Sequence, residues 1–282
     1  MRVSSEFISV PMSLAAATCW GVADFLGGNA SKRTSVTGVV AAMYGTGLII
    51  LMSIAVATRE KIPPWSALGW GALAGVIGAV GLVALYGALS VGKMGINAPV
   101  AAVIGAALPI FVGIFSEGLP RIVQISGFLL ALIALWLLAR PGEAGEGTPK
   151  GLGLAIIAGI FTGLFLVVIR LASATAVFWP IATARVTSTG TLLLIGALGS
   201  RPWLPNRRVL PLIISAGALD AFGNVFFIAA AQRGRLDIAA VLSSLYPAVT
   251  IALAALFLRE RMTRLQTVGI AAALVAIPLI AR

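Results

Sequence analysis

Histidine is absent from this chain, cysteine occurs once, and charged residues make up only 10% of it. Each shortage removes a class of function. Without histidine, the usual zinc ligand and the usual general base near neutral pH are missing, and no metal site is expected. The lone Cys19 cannot form an internal disulfide, so it says nothing about redox compartment. A soluble domain covers its surface with about a quarter charged residues. With 282 residues, 60% of them hydrophobic, this chain cannot present such a surface to water. Its solvent is largely lipid. The net charge of +11 would point to nucleic acid in a soluble protein. Here Lys and Arg sit in short breaks between apolar runs, where they anchor and orient a membrane protein, so no nucleic-acid partner is expected. No Lys-Ser/Thr pair follows the clustered glycines, which excludes a phosphate-cradling loop. A cleavable leader is not expected either, because the first apolar run lacks a basic flank and a small-residue cleavage site.

What remains is a series of apolar runs near 11–30, 36–57, 66–90, 94–116, 122–139, 151–171, 178–199, 209–231, 236–258 and 265–281. A spanning helix takes roughly 20 apolar residues. These runs do not alternate and are too long for barrel strands. The expected fold is therefore an all-α integral membrane protein of ten transmembrane helices. The longest polar stretch, 141–150, reads as a linker. It separates a first five-helix repeat, 1–140, from a second, 151–282.

The two halves resemble each other. Gln124-Ile125-Ser126-Gly127 to Arg140 aligns with Gln266-Thr267-Val268-Gly269 to Arg282 at one spacing (266 − 124 and 282 − 140 are both 142). Gly21 and Gly163 share that spacing. Ala101-Ala102-Val103 with Pro109 matches Ala239-Ala240-Val241 with Pro247 at a spacing shorter by about one helical turn. Five spans per copy make the second enter the membrane from the opposite side. The expected result is a pair of inverted repeats with a pseudo-two-fold axis in the membrane plane and a substrate site near the midplane.

Ala17-Thr18-Cys19-Trp20-Gly21-Val22-Ala23-Asp24-Phe25 in the first span, and Pro247 followed by Phe257 to Gly269, resemble the EamA family of the drug/metabolite transporter superfamily. Arg259 stands where that family usually has Gly before Glu260-Arg261, and Glu117-Gly118-Leu119-Pro120 keeps only the acid. The resemblance implies ten helices in inverted repeats, no bound cofactor, and movement of small metabolites, often outward, across the plasma (inner) membrane.

Charge inside the bilayer costs a few kcal/mol or more, so it marks function or a partner. Arg185 is the one basic residue well inside a span, and Asp24 and Asp220 are the acids. At about 1.5 Å per residue, Arg185 and Asp220 reach nearly the same depth. Two readings stand. They form a buried ion pair that fixes one helix against another, or Arg185 holds a substrate carboxylate or phosphate and Asp220 releases it or takes up a proton. Asn224 lies one turn beyond Asp220 on the same face. Tyr44 is the counterpart of Arg185 in the first repeat, and Trp20, Tyr86, Trp179, Tyr246 and Asn97 are further candidates for the pocket. Asp24 is either an acid near the interface or a cation or proton site. Pro109 and Pro247, at matched positions, are candidate hinges, since a mid-helix proline frees a carbonyl. The expected function is a secondary transporter of small polar metabolites. Amino acids and other anionic or zwitterionic compounds are the leading class, moved by alternating access. The expected partners are that substrate and the bilayer, with the chain acting as a monomer. An intramembrane enzyme or a subunit without flux is the alternative. The Lys and Arg distribution leans towards termini outside, whereas the resemblance implies termini in the cytoplasm.

Overall fold

The computed structural model describes residues 2–140, 149–198, 204–260 and 262–281, with no side chains described before residue 8. Most of the linker, together with Arg201, Arg261 and Arg282, therefore lies outside the described residues. The described chain is all helix and turn, with no strand. The first repeat holds α1 (Arg2–Ser31), α2 (Val36–Ala57), α3 (Trp65–Val91), α4 (Met94–Glu117) and α5 (Ile122–Ala139). The second holds α6 (Leu152–Ala172), α7 (Phe178–Leu198), α8 (Leu210–Arg233), α9 (Leu236–Ser243), α10 (Tyr246–Leu258) and α11 (Arg264–Ile280). Among the described residues, nine stretches are long and apolar enough to cross a bilayer, α9 and α10 together making one. The shorter α11 completes ten spans. Ile49, Phe115, Trp136, Leu194 and Leu256 face outward on these helices, as lipid-facing side chains do.

Two element boundaries differ from those expected. Helix α1 starts at Arg2, well before Pro11, and carries that proline inside it. Hydropathy marks only the membrane-embedded part, while backbone hydrogen bonding continues beyond it. The ninth span is not one helix. It breaks at Ser244-Leu245, between α9 and α10. Pro247 has no N–H to bond back across that point. The chain turns there instead, with Ser244 N bonded to Ala240 O at 2.9 Å and Ala248 N to Leu245 O at 3.0 Å. Pro109 leaves α4 unbroken.

The packing obeys the inverted symmetry. Helix α1 packs on α8 as α6 packs on α3, and α2 packs on α8 as α7 packs on α3. Helices α2 and α7 meet across the axis, and so do α5 and α11. Close approach depends on paired glycines. A side chain at Gly75 would collide with Ala184 of α7, and one at Gly217 would collide with Met43 of α2. Those glycines are symmetry mates, and so are their partners. Even the caps repeat: Gln124 Oε1 accepts from Arg121 N, and Gln266 Oε1 from Thr263 N, each at 3.0 Å. Such small-residue contacts are how membrane helices gain packing energy without a hydrophobic drive.

Candidate functional site

The inverted packing leaves a cavity about midway along the helices, about 70 Å³ in volume and walled by both repeats. Trp20, Asp24, Tyr44, Arg185, Asp220, Asn224 and Tyr246 all line it. Arg185 is only 2% exposed and donates from Nη2 to Asp220 Oδ2 at 2.6 Å. Its guanidinium carbon lies 4.2 Å from the centre of the Tyr44 ring, stacked on that face. Tyr44 Oη in turn donates to Gly78 O at 2.9 Å. Gly78 and Asp220 are symmetry mates, so the link from Tyr44 to α3 mirrors the link from Arg185 to α8. The two mates Tyr44 and Arg185 touch each other, which places them on the pseudo-two-fold axis. One repeat thus carries a charged pair where the other carries a neutral pair.

Asn224 Nδ2 donates to Asp220 O at 2.7 Å, as expected for residues one turn apart. Two buried polar atoms of this cluster have no hydrogen-bond partner among the described residues: Arg185 Nε, a donor, and Asn224 Oδ1, an acceptor. A buried unpaired polar atom costs about 1–3 kcal/mol. The protein keeps both at the same cavity. Asp24, 5% exposed, lies within the unbroken helix α1. No lysine or arginine pairs with it among the described residues. With Arg185 balanced by Asp220, the formal charges of the lining leave one negative in excess, on Asp24.

The remaining candidates lie elsewhere. Asn97 ties the start of α4 to α3 and to the last residue of the linker, donating to Ala88 O at 2.7 Å and Lys150 O at 3.0 Å. Trp179 Nε1 donates to Glu60 O at 2.9 Å on the terminal side. Tyr86 backs the wall beside Asp24, with its hydroxyl donating to Ala23 O at 3.2 Å. Pro247 adjoins the cavity through Tyr246, and Pro109 lies outside its lining. Thr162 and Ser244 line the cavity without having been singled out in the sequence. The Ser243-Ser244 pair just before Tyr246-Pro247 was the available signal. No cluster of three or more metal-ligating side chains occurs among the described residues.

Known proteins agree with this architecture. The model of the EamA-like transporter family matches the chain twice, over residues 7–140 and 149–282. An archaeal relative, "Uncharacterized protein MJ1333.1" of Methanocaldococcus jannaschii, is 32% identical over 77 residues, which is 27% of this chain and 56% of that protein. The chain thus matches little more than half that relative's length. Among the solved structures that match is a protein crystal structure with a TM-score of 0.76 at 17% identity, over 96% of this chain and 95% of its own. That likeness bears on the fold alone. The chain belongs to the EamA-like transporter family, as a multi-pass membrane protein of ten helices in two inverted repeats.

Proposed function

We propose that this member of a transporter family is a secondary transporter that moves small zwitterionic metabolites, amino acids foremost, by alternating access. The observation that carries the reading is the cavity between the repeats, in which a donor (Arg185 Nε) and an acceptor (Asn224 Oδ1) stand unpaired beside an acid without a basic partner. A carboxylate fits the donor edge of Arg185, and an ammonium fits Asp24 and Asn224 Oδ1. Trp20, Tyr44 and Tyr246 offer ring faces for the rest of the solute. A lone anion suits the cavity less well, because Asp220 already balances Arg185.

Ligand pockets usually measure roughly 300–1,000 Å³. At about 70 Å³ the cavity has room for several waters. The helices must part around the site to admit a metabolite and part on the other face to release it. The break between α9 and α10, next to Tyr246, is a natural place for that movement. Asp24 serves as the cation or proton site that exchanges with the solute. Export across the plasma membrane is the direction that suits the family.

The test is efflux of a labelled amino-acid mixture from proteoliposomes at matched protein content. Wild type should release part of the mixture, Asn224→Ala should lose at least tenfold of the rate, and Asp24→Asn should abolish any response to a pH gradient. If wild type and Asn224→Ala release every component at equal rates, the site is wrong.

A further inference from the structure

The two ends of the molecule carry the same junction in two different conditions. On the terminal side, the start of α9 is bound to the end of α4. Arg235 donates to Glu117 O at 3.1 Å and Gly118 O at 2.6 Å, and pairs with Asp237 at 2.7 Å. The Glu117 carboxylate accepts from Leu236 N at 3.0 Å. Asp237 is fully buried against Gly113, and no measurable space is left beside Gln124, Arg235 and Ile238.

Their mates at a spacing of 142 build the mirror junction on the linker side, where Lys93, Gly95 and Ile96 stand for Arg235, Asp237 and Ile238, and the later Gln266 stands for Gln124. There the start of α4 and the end of α10 stand apart around a cavity of about 290 Å³. Lys93 has no acidic partner within 4.0 Å among the described residues, and Glu260 lines the same cavity while reaching only Lys32, at 4.0 Å.

Resting on the transport reading, we propose that these junctions are a pair of alternating latches. Closing the linker-side latch brings Glu260 onto Met94 N, as Glu117 now sits on Leu236 N, and Lys93 onto the carbonyls at the end of α10. The terminal-side latch releases in the same movement, because both ends of α4 and of the α9–α10 span take part. The latches are unequal. Arginine forks onto several acceptors where lysine is a point charge, and Gly95 offers no carboxylate where Asp237 does. The resting protein is therefore biased towards the terminal side closed, as found here.

The test places one cysteine in the central cavity, Ser244→Cys in a Cys19→Ala background. It measures labelling by a membrane-impermeant maleimide from each face of oriented vesicles. The parent should react faster from the linker side. Arg235→Ala should raise the terminal-side rate relative to the linker-side rate by about tenfold or more, since it removes several charge-assisted hydrogen bonds. Arg235→Lys should fall between. Glu117→Gln, which keeps the side-chain shape, should shift the ratio the same way if Arg235→Ala inserts poorly. Adding Lys93→Ala to Arg235→Ala should reverse part of the shift, an effect that loss of local structure would not give. An unchanged ratio in both Arg235→Lys and Glu117→Gln overturns the latches and leaves the transport reading intact. A cysteine that reacts from neither face in any variant overturns the transport reading as well.

Discussion

Arg185 carries two loads that substitutions separate. Its pairing with Asp220 is buried, and removing one member of such a pair costs about 3–5 kcal/mol because the other charge is left uncompensated. Its stacking on Tyr44 is also desolvated and contributes about 2 kcal/mol. Arg185→Ala should therefore lower the melting temperature in detergent markedly. Arg185→Ala with Asp220→Ala should recover much of that loss, since no charge is stranded. Flux should stay low in both, because the Nε donor has gone. Recovery of flux together with stability would reduce the pair to a structural tie. These residues were legible in the sequence for a plain reason: a charge in the middle of an apolar run needs a partner or a cavity. Asp237 was not singled out. It sits next to Arg235 at a span end, a place that reads as solvent-facing, yet it is fully buried, with Gly113 of α4 against it. Glu60 escaped for a similar reason. It lies in a loop, but its carboxylate accepts from Val177 N, Phe178 N and Trp179 N and caps α7 from the other repeat.

Among the elements, the asymmetry between the fourth and ninth spans is informative. Both carry a proline at the matched place, yet only the second breaks. The serines before Pro247 distinguish the two copies. Ser243 Oγ reaches Ser13 O on α1 at 3.4 Å, a tie between helices that the matched Gly105 cannot make. The repeat was visible in sequence, but which copy breaks depends on contacts with α1 that no spacing reveals. Pro247→Ala should let α9 and α10 join, raise thermal stability and slow transport; unchanged flux with a raised melting temperature would remove the break from the mechanism. The helix contacts make a separate prediction. Gly217→Val pushes two methyl groups into the Met43 backbone and should destabilise by about 1–3 kcal/mol. The same change at Gly45, where a side chain meets nothing, should be nearly silent. Melting curves of the two variants decide it.

At the scale of the whole molecule, two inverted copies of one sequence have diverged at matched points: Tyr44 against Arg185, Gly78 against Asp220, Gly95 against Asp237. The first two create a charged cluster on the axis, and the third makes the two ends unequal. The proposed transport cycle places the solute in the cavity on that axis, between these unequal ends. The measurement that tests this most directly is untargeted mass spectrometry of medium and cell extract. It compares cells expressing wild type, Asn224→Ala or an empty vector, with both proteins at equal membrane levels. The account predicts a small zwitterionic compound whose distribution shifts with wild type and returns towards the empty-vector pattern in Asn224→Ala. A compound that shifts equally in wild type and Asn224→Ala, or no shift at all, would contradict it.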